Sequence, residues 1–95
     1  MNKNFYLIDE FTQKLTLVEG KILHDGMFVY LDENGKFQIA EEFTGLNVGF
    51  AMDTLEEIEE LCNLHVERLT NFRKTNQYKI RVEEFIKAKK VLLLC

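Results

Sequence analysis

Cys62 and His65 are the residues of this sequence whose spacing most invites chemistry. They lie three positions apart, so on a helix they share one face and could form a Cys–His dyad or half of a zinc site. Zinc needs four ligands, and the remaining candidates, His24 and Cys95, lack a paired C-x-x-C or H-x-x-x-H spacing. A catalytic dyad also needs an orienting group and an oxyanion site, which we do not find. We interpret the pair as core residues and predict no enzyme, no metal and no cofactor.

Adjacent carboxylates are a second candidate for acid–base chemistry. Neighbouring residues on a strand or helix point in different directions, so the members of a pair do not face one substrate. The segment Asp32–Gly35 lacks the later ligands of a calcium loop, and no glycine has phosphate-loop spacing. We interpret the pairs as solvated charges. They are Asp9–Glu10, Asp32–Glu33, Glu41–Glu42, Glu56–Glu57 and Glu59–Glu60.

The distribution of charge is uneven along the chain. The formal net charge is −4, but residues 1–65 carry −9 and residues 66–95 carry +5. Such asymmetry can indicate an electrostatic partner, and it can equally reflect attraction between the two halves of one fold. Both interpretations are compatible with the sequence.

An acidic surface that faces a basic partner is the first functional hypothesis. Carboxylates in turns and at a helix N-terminus would increase the encounter rate with a basic surface, and its selectivity. Phe11 and Phe43, each in an acidic turn, would supply apolar anchors unless both fold inward and cap the sheet. The predicted partner-binding residues are Phe11, Glu41, Glu42, Phe43, Glu56, Glu57, Glu59 and Glu60.

Nucleic-acid binding by the basic C-terminal third is the alternative, in the form of a regulator that could be dimeric. Lysine and arginine there could neutralise phosphates, although the whole chain is acidic, with a pI near 5.2. The basic residues are Arg68, Arg73, Lys74, Lys79, Arg81, Lys87, Lys89 and Lys90.

The element that must position most of these groups is a helix predicted over 53–74. Asp53 or Thr54 can cap it, with a glutamate three residues later. Its apolar residues recur at steps of three and four and define one buried stripe. Acidic residues come first and basic residues last, as the helix dipole favours. The stripe residues are Leu55, Ile58, Cys62, His65, Leu69 and Phe72.

Before this helix the hydrophobic period is two, which predicts strands. Asn34-Gly35 indicates a hairpin with a two-residue type I′ turn. The predicted strands cover residues 5–8, 14–23, 27–32, 36–41 and 46–51. We therefore predict an α+β fold: an antiparallel β-meander of about five strands, covered on one face by a C-terminal αα-hairpin.

A second helix is predicted after a break at 75–77. Its stripe is Tyr78, Val82, Phe85, Lys89 and Leu92, although residues 78–82 also alternate as a strand would. The apolar run Val91–Cys95 is expected to dock on the core or, if it stays exposed, to form a homodimer contact.

Size and composition indicate one domain, 1–95, with a strand part at 1–52 and a helical part at 53–95. No apolar run approaches the ~20 residues that span a bilayer, and the N-terminal segment meets charges too early for a signal peptide. Two cysteines make no disulfide framework, so we expect a cytoplasmic protein.

In general character the chain resembles the small proteins of phages and mobile elements. It is acidic, contains no proline, is rich in Lys, Asn, Glu and Ile, and combines a sheet with helices. Anti-CRISPR inhibitors are the best-known of these proteins. The resemblance implies a bacterial or phage-infected host cell and a nucleic-acid-processing effector as partner, blocked sterically and electrostatically. It assigns no role to any single residue.

Overall fold

The computed structural model describes residues 2–9, 11–24 and 26–94, so Met1, Glu10, Asp25 and Cys95 lie outside the description. Within these ranges a five-stranded antiparallel sheet precedes two helices, which confirms the predicted α+β class and the meander. Strands that neighbour each other in the sheet also follow each other in the chain. The elements are β1 (Asn2–Ile8), β2 (Leu15–His24), β3 (Met27–Leu31), β4 (Phe37–Glu41), β5 (Asn47–Met52), α1 (Leu55–Phe72) and α2 (Asn76–Leu94).

Helix α1 covers one face of the sheet. Thr54 is its N-cap, and the Thr54 hydroxyl accepts a hydrogen bond from the Glu57 backbone N–H at 3.2 Å. Ile58 and Cys62, on the predicted stripe, are completely buried. They pack in the main core with residues of the central strands, because burial of apolar surface is what holds an amphipathic helix in place. These strand residues are Met27, Val29 and Ile39.

The opposite face of the sheet has a small core of its own. Phe28 and Tyr30 alternate with Met27 and Val29 along β3, so their side chains point away from α1. Phe28 stacks on Phe5 of β1 with ring centroids 4.0 Å apart and planes only 5° from parallel. The sheet therefore buries apolar residues on both faces.

The second core forms because the sheet curls, so that β1 lies over the face formed by Phe28 and Tyr30. The Ile8 N–H donates to the Gly45 carbonyl at 2.9 Å, which joins β1 to the β4–β5 connection although β1 and β4 are not neighbours in the sheet. Gly20 of β2 lies where the backbone comes closest to β3 and to the Phe28 ring. A Cβ atom there would come 2.7 Å from the Val29 carbonyl oxygen and 2.9 Å from the Phe28 ring, so only glycine fits.

The β3–β4 hairpin is present, but its turn is not the predicted type I′. Among the described residues other than glycine only Gln13 has a positive φ, so Asn34 is not left-handed and only Gly35 is, at +77°. The Asp32 carboxylate accepts from the N–H groups of Asn34 and Lys36 at 2.8 and 2.9 Å. This side-chain bonding, with the Gly35 N–H donating to the Asp32 carbonyl, is typical of a type I turn followed by a left-handed glycine.

Strand β5 is one edge of the sheet and is irregular. Gly49 has a φ of +92° in the middle of the strand, and its N–H donates to the Asn47 side chain at 2.6 Å. The register with β4 shifts between Gln38 and Ala40. These features are those of a β-bulge.

Helix α2 begins after a short break, as predicted, and residues 78–82 are helical. The Thr75 hydroxyl accepts from the Tyr78 N–H at 3.2 Å and donates to the Phe72 carbonyl at 2.7 Å. Phe85 is buried, and its ring packs directly on Gly45. A Cβ atom on Gly45 would lie only 2.5 Å from the Phe85 ring. The contribution of α2 to the core is therefore centred on one aromatic side chain.

The apolar end of α2 does not dock on the core. Val91 to Leu94 are helical but exposed, and Leu94 is 87% exposed. The expectation of docking was wrong for these four residues, because the last turn of α2 extends beyond the core and side chains on all its sides face solvent. Within the described ranges, no helix has the length and apolarity needed to cross a bilayer.

Candidate interaction surfaces

Glu41, at the end of β4, is a buried carboxylate with four hydrogen bonds. Its Oε1 accepts from the backbone N–H groups of Phe43 and Thr44 at 2.9 and 2.8 Å. Its Oε2 accepts from the Arg73 guanidinium at 3.0 Å and from the Tyr78 hydroxyl at 3.2 Å. The residue is only 3% exposed, so its charge is balanced inside the protein.

This arrangement removes Glu41 from the predicted partner-binding set. Its carboxylate links β4, the β4–β5 connection, the end of α1 and the start of α2, and it is not accessible to another protein. The sequence around Glu41 could not show this, because the two side chains that bind its carboxylate, Arg73 and Tyr78, follow 32 and 37 residues later. The neighbouring Glu42 is partly exposed and lies 3.8 Å from the Lys3 amine.

The buried Glu41 carboxylate affects the pKa of the Tyr78 hydroxyl, to which it is hydrogen-bonded. Desolvation, and then the adjacent Glu41 carboxylate, raise the pKa of Tyr78 from 10.0 to about 12. Because the folded protein holds the proton more tightly than the unfolded chain, the free energy of unfolding should fall as the pH rises from about 10 to about 12.

We expect Tyr78→Phe to abolish that part of the alkaline decrease. The measurement is the free energy of unfolding by urea at a series of alkaline pH values for both proteins. Loss of the hydroxyl adds an offset that is independent of pH, so only the slopes are compared. Parallel curves for the two proteins would contradict the assignment.

Phe11 is presented by a tight turn between β1 and β2. The Asp9 carboxylate accepts from the N–H groups of Phe11 and Thr12 at 2.8 and 3.0 Å. These bonds, that of Thr12 first, lower the pKa of the Asp9 carboxyl. The Phe11 side chain is 89% exposed, so the alternative in which it folds inward is wrong. A large apolar side chain on a hydrogen-bonded turn is suited to contact a partner.

Phe43 lies at the same end of the sheet but is only half available. It is 45% exposed, and the Arg73 guanidinium carbon lies 5.8 Å from its ring centroid. The hydrogen bond between Ile8 and Gly45 holds the β1–β2 and β4–β5 connections side by side. The two aromatic side chains therefore belong to one end of the molecule.

Four glutamates at the start of α1 form a second group, which we call the acidic surface: Glu56, Glu57, Glu59 and Glu60. Glu56, Glu57 and Glu60 are exposed and Glu59 is half-buried. No salt bridge with another described residue engages any of them. Glu57 also takes part in the cap, accepting from the Thr54 hydroxyl at 2.9 Å.

The predicted binding residues therefore separate into two groups. Helix α1 starts beside the Lys36–Asp53 salt bridge, at the β3–β4 end of the sheet. It ends where Arg73 meets Glu41, at the β4–β5 end. The acidic surface and the aromatic end thus lie at opposite ends of the helix, and one small contact does not include both.

Comparisons with protein-family models, curated proteins and solved structures found no match. The charge, exposure and contacts of the described side chains are therefore what bears on function.

Several basic residues of the alternative hypothesis are used inside the protein. Arg73 is bound to Glu41, and Arg81 lies 3.2 Å from Glu84 of its own helix. The Lys89 amine lies 4.4 Å from the Phe85 ring centroid. These contacts reduce the positive charge that the end of α1 and helix α2 present to a phosphate backbone. Binding of nucleic acid stays a prediction.

Cys62 and His65 are placed as packing residues. Cys62 is buried, and desolvation, followed by the charge of Glu59, raises the pKa of its thiol. His65 packs on Phe50, with ring centroids 4.8 Å apart, and lines a mostly apolar groove of about 260 Å³. His24 contacts Asn63 instead. In the described part of the chain, no three potential metal ligands come together.

Proposed function

We propose that this protein is a small non-enzymatic inhibitor or adaptor that binds another protein through the acidic surface of α1. The observation that carries the proposal is the exposure of Glu56, Glu57 and Glu60 without a salt bridge to a described residue. Elsewhere in the fold, Glu41, Glu42, Asp53 and Glu84 each have a basic partner, whereas Glu67 and Glu83 are exposed without a salt bridge to a described residue but do not belong to a group of four.

The proposed partner presents a basic surface of the kind that binds nucleic acid. Carboxylates grouped on a helix would occupy positions that phosphates otherwise take, and would attract the partner over a distance of about 10 Å at ordinary salt. As the resemblance to anti-CRISPR inhibitors implies, the proposed partner is a nucleic-acid-processing effector, which the protein would block in the cytoplasm of a bacterium or a phage-infected cell.

Phe11 supports the adaptor form of the proposal. It is the most exposed aromatic side chain at the end of the molecule away from the acidic surface. A partner that extends along α1, or a second partner, would bury it as an apolar anchor, with Phe43 and Glu42 beside it.

Glu56→Lys combined with Glu60→Lys is expected to weaken the complex at least about tenfold, because like charges would then face each other. Both side chains are exposed and neither caps the helix, whereas reversal of Glu57 would also remove the cap. Tagged wild-type and variant proteins are used to capture partners from the host cell at low and high salt, with quantitative mass spectrometry. A short DNA duplex should displace the captured protein.

Glu67→Lys is the matched control, since it makes the same charge change on the exposed side of the same helix, seven residues beyond Glu60. We expect it to leave capture nearly unchanged. Capture of the same protein by the wild type and the double variant, insensitive to salt and to DNA, would refute the electrostatic mechanism. Self-association through Val91–Cys95 is a separate proposal, because it uses α2, and Cys95 lies outside the described residues.

A further inference from the structure

Helix α2 has a side that is mostly exposed, although Glu84 there is half-buried and Lys87 and Val91 border a groove that Lys14 and Leu15 also line. Tyr78, Val82, Phe85 and Lys89 face the body of the protein, at about 100° per residue around the helix. The residues on the far side recur at steps of four and three, as in a short helix–helix seam. This outer stripe consists of Ile80, Glu84, Lys87, Val91 and Leu94.

Large apolar side chains at both ends of this stripe are exposed. Ile80 is 49% exposed and Val91 is 58% exposed, and Leu94 beyond it is almost fully exposed. Between them lie one acidic and one basic residue, Glu84 and Lys87. Glu84 accepts from Arg81 of its own helix at 3.2 Å through Oε2. Val91 and Leu94 lie one helical turn apart, so they form one exposed apolar patch at the end of the stripe.

The order of charges selects the orientation of a second helix. If two copies of α2 pack in parallel, Glu84 meets Glu84 and Lys87 meets Lys87. If they pack antiparallel about a two-fold axis between residues 84 and 87, Glu84 meets Lys87 of the second copy, twice. The same axis brings Ile80 opposite Val91 of the second copy, and Glu83 near Lys90 on the flank.

We infer that α2 pairs with a second copy of this chain in an antiparallel, two-fold contact. Ile80 and Val91 form its two apolar layers, and Glu84 and Lys87 form its two charged layers. The stripe is self-complementary in both charge and apolar character, which is the condition for a two-fold interface. An unrelated partner would not require this symmetry in the order of residues.

The strength of the contact follows from its length. Residues 80 to 91 make about three helical turns, and the pair buries less surface than the roughly 1,600 Å² of a standard stable interface. We therefore expect a concentration-dependent equilibrium between monomer and dimer, not a permanent dimer. Sedimentation equilibrium of the full chain from low micromolar to millimolar concentration measures it.

A charge swap tests the orientation. Glu84→Lys or Lys87→Glu alone should weaken the dimer about tenfold or more, since each places like charges opposite one another at two symmetric positions. The double variant, E84K with K87E, should restore association, because every pair is then reversed but still opposite. Circular dichroism of each variant checks that α2 is folded.

Three results would overturn the inference: a monomer at every concentration, a dimer that neither single variant weakens, or a double variant that stays monomeric. Lys79→Glu, at an exposed position outside the stripe, is the control for net charge and should associate like the wild type. The glutamates of α1 are unchanged in all these proteins. Capture of a partner through α1 can therefore succeed or fail independently of the dimer.

Discussion

Ile58→Ala should lower the free energy of unfolding by about 3 kcal/mol, as expected when a fully buried isoleucine is truncated and leaves a cavity. Ile58 is 0% exposed and packs against Met27, Val29 and Ile39. Because α1 is held on the sheet by this side chain and Cys62, the loss should also expose the central strands. Urea unfolding followed by circular dichroism measures the change, and hydrogen exchange of β3 and β4 locates it.

Leu64→Ala is the control on the same helix. Leu64 is exposed, so its truncation should change the free energy of unfolding by no more than about 0.5 kcal/mol. Equal losses in the two variants would show that α1 does not lie on the sheet with Ile58 inward. The proposed position of the acidic surface would then have no support.

Glu41→Gln should cost about 3 kcal/mol, because it removes a buried negative charge that lies 3.0 Å from the Arg73 guanidinium. A glutamine also offers a weaker acceptor to the N–H groups of Phe43 and Thr44. Since the carboxylate links the sheet to the start of α2, we expect α2 to lose protection from hydrogen exchange before the sheet does. Thermal unfolding and exchange mass spectrometry measure the two effects.

Glu42→Gln makes the same substitution one residue later. Its salt bridge with Lys3 is long, at 3.8 Å, and the Lys3 side chain is mostly exposed, so the loss should be within about 0.5 kcal/mol. If Glu41→Gln were as mild as this control, Glu41 would not be the junction of the fold. It would then return to the candidates for partner binding.

Local signals in the sequence were sufficient for α1 and for the order of elements. The Thr54 cap, the stripe through Ile58 and Cys62, and turn residues such as Gly35 each act within a few positions of the chain. Each predicts a local structure without knowledge of the rest. The strand order of the meander requires no long-range information, since each strand pairs with the next one in the chain.

Features that depend on distant residues could not be predicted. Glu41 has the same sequence context as the partly exposed Glu42, and only the contacts with Arg73 and Tyr78 distinguish the two. The close approach at Gly20 depends in the same way on Phe5 and Phe28. For Val91–Leu94, hydrophobicity indicated burial, but the direction of α2 carries these side chains into solvent.

The left-handed glycine in β5 limits how this protein can polymerise. A regular outer strand would offer a row of backbone donors and acceptors on which a strand of another molecule could grow, as in amyloid. Gly49, with its N–H already bound to Asn47, breaks that row in the middle. At the β5 edge, contacts with other chains must therefore use side chains, so they can be specific and reversible.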